Sequence, residues 1–161
     1  RKPLVVFTPK SLLRDPRAVS ALDELSAGGF QTVLPDAAPA RGAVRRVLLC
    51  TGKVYYDLLA KREALGAADI AIVRLEQLAP LPAAALSTAL SNYADDTQVY
   101  WVQEEPENMG AWPFIRLNLG ERMLSRFPLS AVCRDASASP ATGSGSSHRI
   151  EQEELLVRAF A

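Results

Sequence analysis

The sequence has 161 residues, 48% of them hydrophobic, enough for one packed core and too short for two domains of ordinary size. With 18 Lys and Arg against 18 Asp and Glu the formal charge is zero, which removes the electrostatic case for nucleic acid or an acidic membrane surface as partner. No apolar run reaches the ~18–20 residues of a membrane span.

Pro3-Leu4-Val5-Val6-Phe7 is short, β-branched and bounded by Pro9, and predicts a first buried strand. Asp15-Pro16 predicts a helix start, with Ala18, Val19, Leu22 and Leu25 as its apolar stripe and Gly28-Gly29 as its end. Residues 35–43 read as a Pro- and Ala-rich loop. Val47-Leu48-Leu49-Cys50 is the next strand, and Gly52 turns the chain into a helix over 53–65. Ile70–Val73 is a third strand, 83–93 a small Ala/Leu helix after Pro82, and Val99–Val102 a fourth strand. A longer helix is expected over about 111–126, a fifth strand at Ser130–Cys133, a loop over 135–147, and a final amphipathic helix over about 149–160. The alternation predicts a single α/β domain over 1–161: three layers, with a mostly parallel sheet of about five strands and helices on both faces.

Ligands of such sheets sit beyond the carboxyl ends of the strands. That singles out Thr8-Pro9-Lys10-Ser11, Thr51-Gly52-Lys53, Arg74–Gln77 and Gln103–Pro106. Thr51-Gly52-Lys53 is not a phosphate loop, because positions 47 and 54 are both Val where Gly and Ser or Thr are needed. What remains is a helix N-terminus able to attract an anion. The run Gln103-Glu104-Glu105-Pro106-Glu107-Asn108-Met109-Gly110-Ala111-Trp112 is the densest polar constellation. Paired carboxylates there suit acid–base work if one is buried, or a turn, or a subunit contact. With no metal pattern beside them the contact role is favoured, for Glu104, Glu105, Asn108 and Trp112. His148, the single histidine, has no partners at metal-ligand spacing, and its default is a hydrogen-bonded helix-start residue. Arg45-Arg46 and Lys61-Arg62 read as solvated faces. Of Tyr55-Tyr56, one faces the sheet. Cys50 and Cys133 each end an apolar stretch and read as buried free thiols in a reducing compartment.

Four segments in order carry a family resemblance: Lys2 to Arg14, Cys50 to Leu58, Ile72 to Leu78, and Gln103 to Trp112. With the tail Ser137-Ala138-Ser139-Pro140-Ala141-Thr142-Gly143 and His148, they resemble the C-terminal part of the decarboxylase component of 2-oxoglutarate dehydrogenases. The resemblance implies a transketolase-type C-terminal domain of an enzyme that uses thiamine diphosphate and Mg²⁺ to decarboxylate 2-oxoglutarate. The enzyme then passes the succinyl unit to a lipoyl group on a partner transferase, in a complex that includes lipoamide dehydrogenase. It also implies a homodimer, packing against the other domains of the parent chain, and a bacterial cytoplasm rather than a mitochondrial matrix. The sequence starts Arg1-Lys2-Pro3 without Met and reads as a piece of that longer protein. The family's cofactor motif, Gly-Asp-Gly followed by Asn, does not occur in these residues, so neither cofactor nor catalysis is expected of them alone.

Some members of this family bind AMP or acetyl-CoA in this domain, which leaves a nucleotide-binding regulatory module as the alternative. Thr8, Lys10, Lys53 and Gln77 are the candidate anion-site residues. The basic pair of acetyl-CoA-responsive members falls here on the alanines of Pro82-Ala83-Ala84-Ala85, which carry no charge for a phosphate. The same domain of a 2-oxoadipate dehydrogenase would read alike. A hydrolase built on His148 and a neighbouring serine is a third, weaker class.

Overall fold

A computed structural model describes residues 2–6, 8–38 and 44–161. It falls into two compact units, Arg1–Phe30 and Gln31–Ala161. The expected loop over 35–43 lies partly outside the described residues.

In the first unit the expected strand does not form. Residues 3–6 carry no regular structure, and Leu4, Val5 and Val6 are exposed; Phe7 lies outside the described residues. An apolar β-branched run becomes a strand when it finds a neighbour to pair with, and among the described residues no strand pairs with it. Asp15-Pro16 opens a single turn rather than a helix. The Asp15 carboxylate accepts the Arg17 backbone N–H (2.9 Å) and the Arg17 guanidinium (2.7 Å), which holds its acid well below the usual range, at about 2. The regular elements in this unit are a 3₁₀ turn, Lys10–Arg14, and the five-residue helix α1, Leu22–Ser26, where Glu24 reaches back to the Ala21 N–H at 2.7 Å.

The second unit is the α/β body. Its elements are β1 (Val33–Leu34), β2 (Arg46–Cys50), α2 (Val54–Leu65), β3 (Ile70–Leu75), α3 (Ala83–Ala89), β4 (Gln98–Pro106), α4 (Trp112–Leu119), β5 (Arg122–Met123), β6 (Phe127–Arg134) and α5 (Gly145–Phe160). The strand order is β1-β3-β2-β4-β6-β5. The four central strands are parallel, and the two-residue edge strands run antiparallel to β3 and β6. Both faces of the central strands are covered, which explains why they are almost continuously apolar. Val47, Leu49, Val73, Val99 and Trp101 pack towards Leu86 of α3, Leu90 at its end and Ile115 of α4. Leu48, Cys50, Ile72, Val102 and Val132 pack towards Val54 and Leu58 of α2 and Leu155, Ala159 and Phe160 of α5. This is the expected three-layer α/β architecture. Both thiols are free and buried.

The expected helix over 111–126 is half helix, half hairpin. Gly120 leaves α4 at φ 67°, and Leu124 and Ser125, both left-handed, turn β5 into β6. Met123 and Phe127 thereby reach the core, each 0% exposed. Two expected solvated faces are also corrected. Arg62 ion-pairs with Asp36 at 2.5 Å, and both side chains are largely buried. Arg46 lies over the Tyr100 ring and donates to the Ala159 carbonyl at 2.9 Å. Of the tyrosine pair, Tyr56 is buried and Tyr55 half-buried beneath Arg74.

Candidate functional site

β2 connects through α2 to β3 on one side, while β4 lies on its other side. The chain direction therefore reverses between β2 and β4, and open α/β sheets hold their clefts at such a switch point. A cleft of about 540 Å³ lies there, lined by Gly52, Lys53, Leu78, Trp101, Glu104 and Phe114, among others. Gly52 supplies the left-handed residue (φ 67°) that lets β2 break straight into α2.

Lys53 dominates this cleft. Its Nζ is 2.6 Å from Glu104 Oε1 on β4 and 3.1 Å from Asp57 Oδ2 one turn along α2. Burial pulls the Lys53 pKa down, but the hydrogen bonds and charges of Glu104 and Asp57 outweigh it, so the ammonium is held above its ordinary value. The chain of contacts continues. Asp57 Oδ2 also accepts from Gln152 Nε2 of α5 (2.9 Å), and Gln152 Oε1 accepts from Arg134 Nη2 of β6 (3.0 Å). The same guanidinium meets His148 Nδ1 at 3.0 Å, Glu151 at 3.2 Å and Thr142 Oγ1 at 3.4 Å. A guanidinium has donors and no acceptor, so in this contact His148 Nδ1 is the accepting nitrogen. Arg134 is buried, and its Nε has no partner among the described residues.

Gln103, 3% exposed, fixes the loop after β4. Its Oε1 accepts from Trp101 Nε1 and from the Trp112 backbone N–H, both at 2.8 Å, and its Nε2 donates to the Met109 carbonyl (2.7 Å) and the Pro106 carbonyl (3.1 Å). Gly110 closes this loop at φ 66°, where a Cβ would lie 2.9 Å from Gln103 Nε2 and from Glu105 Cβ.

The residues singled out from sequence are distributed as follows. Lys53 and Glu104 come together. Gln77, at the end of β3, donates its side chain to the Pro80 carbonyl at 2.7 Å. Thr8 and Lys10 belong to the first unit and are exposed. Asn108 is tied to Ser137 by reciprocal bonds of 2.9 and 3.0 Å, Glu105 is exposed, and Trp112 packs partly against the core. Sequence reasoning singled out the segment Gln103–Pro106 without giving Gln103 a role of its own, and it missed Asp57, Gln152 and Arg134. For Gln103 a signal existed: strand alternation places it on the side of Trp101, towards the core.

Comparison with known families decides what this body is. The family model described as 2-oxoglutarate dehydrogenase C-terminal matches residues 19–160. The chain belongs to the 2-oxoglutarate dehydrogenase C-terminal family. It is 47% identical over 162 residues to the 2-oxoglutarate dehydrogenase E1 component of Cupriavidus necator, and 46% identical over 162 residues to that of Haemophilus influenzae. Each match covers 100% of this chain and 17% of the relative. It is also 42% identical to a multifunctional 2-oxoglutarate metabolism enzyme of Mycobacterium, covering 100% of this chain and 13% of that relative. The chain therefore spans about a sixth or less of the length of these curated relatives. Among the described residues no helix is long and apolar enough to cross a membrane, and no cluster of three or more His, Cys, Asp or Glu is arranged to hold a metal.

Proposed function

We propose that residues 1–161 are the C-terminal domain of the thiamine-diphosphate-dependent decarboxylase component of a bacterial, cytoplasmic 2-oxoglutarate dehydrogenase. In that enzyme 2-oxoglutarate is decarboxylated and its succinyl unit handed to a lipoyl group on the succinyltransferase, within the complex that includes lipoamide dehydrogenase. The domain's part is to brace the catalytic domains of its own chain and to help form the homodimer, with Glu105 and Trp112 at the contact. The observation that carries this is the match along the whole chain at 47% identity to a relative six times its length.

The local chemistry agrees. Thiamine diphosphate supplies an electron sink and needs a metal for its pyrophosphate. The donor set here does not fit that group: of the two carboxylates that line the cleft, Glu104 is engaged by Lys53, which leaves Glu105, and the neighbouring Asp57 is held by Lys53 as well. No catalytic step is assigned to these residues. The test is thiamine diphosphate titration and CO₂ release from 2-oxoglutarate and 2-oxoadipate, with the full-length enzyme and with residues 1–161. The full chain should bind the cofactor and turn over 2-oxoglutarate, and the 161 residues should do neither. Cofactor binding by residues 1–161, or preference of the full chain for 2-oxoadipate, refutes the respective assignment.

A second reading, an effector anion such as the phosphate of AMP or acetyl-CoA near Lys53 and Gln77, is favoured by the switch-point cleft. An anion there must compete with Glu104 for Lys53. Calorimetry with millimolar AMP and acetyl-CoA on wild type and Lys53→Gln tests it; no heat from wild type removes it.

A further inference from the structure

The sheet of the α/β body is left open along one edge. β5 covers β6 only at Phe127 and Pro128, and among the described residues no strand pairs with Leu129–Cys133 on that side. Along a strand, successive residues turn their N–H and C=O to opposite sides. The Pro128 carbonyl accepts from the Gln98 side chain of β4 (3.1 Å) and the Arg134 carbonyl from the Glu107 N–H just past β4 (2.9 Å), so the even positions of β6 face β4. Leu129, Ala131 and Cys133 therefore face the open edge. Two of their backbone groups are taken: the Leu129 N–H donates to the Glu121 carbonyl (2.8 Å), and the Cys133 carbonyl accepts from Arg158 Nη2 of α5. The Leu129 carbonyl, the N–H and carbonyl of Ala131, and the Cys133 N–H have no partner among the described residues. These residues line a groove of about 730 Å³, together with Trp112 and Arg116 of α4 and Arg158 of α5. Protein edges are ordinarily guarded by charge, proline or a bulge; Leu129-Ser130-Ala131-Val132-Cys133 contains no charged residue and no proline.

We propose that this edge pairs antiparallel with the same edge of a second copy, about a two-fold axis at Ala131, and so joins two six-stranded sheets into one. The pairing rests on the homodimer proposed for the enzyme and gives that contact a geometry. The free groups select the occupant. With Ala131 opposite its own counterpart, each Ala131 N–H meets the other's carbonyl. Leu129 then lies opposite Cys133, and at each end the Cys133 N–H meets the Leu129 carbonyl. The other two groups of that outer pair, the Leu129 N–H and the Cys133 carbonyl, are the two already satisfied within each body. Every free group finds a partner and none is left over, which is the self-complementarity of a two-fold contact. The charges agree. The groove carries Arg116, Arg134 and Arg158 against Glu107, Glu121 and Asp135, so a partner of a single sign gains nothing from it. The two-fold instead brings the Arg116 and Glu121 end of one body to the Asp135 and Arg158 end of the other, with opposite signs meeting in both directions.

The experiment uses the full-length enzyme with Ser130, an exposed residue of β6, replaced by photoreactive benzoylphenylalanine. After irradiation and trypsin digestion the expected product is the 127–134 peptide joined to a second copy of itself, which a single chain cannot give. Crosslinks to any other segment, of this chain or of another protein, overturn the proposal. Adding Ala131→Pro removes the central N–H. Proline is tolerated on an edge strand whose N–H faces outwards, so the urea midpoint should hold while the self-crosslink falls at least tenfold. A self-crosslink undiminished in that variant also overturns the proposal; if proline prevents folding, the identity of the crosslinked peptide decides alone. Sedimentation and decarboxylation of 2-oxoglutarate are measured on the same preparations. Dimers without the self-crosslink refute the edge pairing and leave the homodimer standing. The self-crosslink without turnover supports the edge pairing and refutes the enzyme assignment.

Discussion

Gln103→Leu removes polar atoms at nearly constant volume and should be among the most damaging single changes in this chain. The side chain satisfies two donors, Trp101 Nε1 and the Trp112 N–H, and two carbonyls, those of Met109 and Pro106. Each buried polar group left without a partner costs about 1–3 kcal/mol. Trp112 N–H and the Met109 carbonyl adjoin the open cleft, so water can replace part of what they lose. Trp101 is 0% exposed, and its indole N–H has no such recourse. Counting Trp101 in full, the others in part, and setting against them ~1 kcal/mol for burying more apolar surface, the net loss is about 2–5 kcal/mol. A domain of this size has a total stability of ~5–15 kcal/mol. Urea unfolding followed by tryptophan emission reads the loss directly. Gln98→Leu is the control, because Gln98 is half-buried and bonds to carbonyls at the other end of β4. A loss under about 1 kcal/mol for Gln103→Leu, or one no larger than for the control, would refute the buried-amide reasoning.

Three further outcomes are expected. Gly110→Ala should cost about 2–4 kcal/mol by denaturant midpoint, because alanine strains a φ of 66° and its Cβ overlaps Glu105 and Gln103; combined with Gln103→Leu it should be less than additive, since both changes open the same loop. Asp36→Ala should cost about 3–5 kcal/mol, because it leaves Arg62 buried without its counter-ion and the Ile72 N–H without its acceptor (3.0 Å), and the Arg62→Met, Asp36→Leu double variant should recover much of that. Burial pushes the Cys50 thiol up from 9.0 to about 12. The folded state thus binds that proton more tightly, its contribution is complete below about pH 9, and it is lost as pH rises to about 12. The three units correspond to roughly 4 kcal/mol, read as a steeper alkaline loss of stability in wild type than in Cys50→Ala; parallel pH profiles would contradict it.

Much of the body was legible because its central strands are covered on both faces. Val47–Cys50, Ile70–Val73, Val99–Val102 and Ala131–Cys133 are apolar without alternation, the pattern of buried parallel strands. The errors have local causes. Phe114, Ile115, Leu119 and Met123 fit a helical period, and the break after Leu119 depends on Gly120 and on Leu124 and Ser125 taking left-handed angles without the Gly or Asn that usually announces them. Val33–Leu34 is too short to show a pattern and exists through its pairing with Leu75 and Arg74. Pro3–Val6 has strand composition but, among the described residues, no strand paired with it. At the site, Lys53 and Glu104 were each visible but their pairing, and Asp57 with it, was not, because these are charged residues like any other until the parallel register of β2 and β4 brings Glu104 across. Asp36, Gln152 and Arg134 were hidden in the same way: each is defined by a contact made between distant segments.

The carboxyl edge of this sheet is where related architectures keep their reactive or ligand-binding groups open. Here the edge is cross-tied. Lys53 joins β4 to α2 through Glu104 and Asp57; Asp57 hands the connection to α5 through Gln152, and Gln152 to β6 through Arg134. Each charge in the series has an opposite charge or a neutral dipole within hydrogen-bonding reach, so moving any one member exposes an unmet partner in a half-buried setting, where such loss is costly. An anion entering the cleft gains Lys53 only by separating it from Glu104, and it then faces that carboxylate at close range. An edge built this way makes an entering anion compete with Glu104 and ties β4 to α2, α5 and β6, and for the proposed bracing role that stiffness lies in the pairing of Lys53 with Glu104 rather than in an unmet charge.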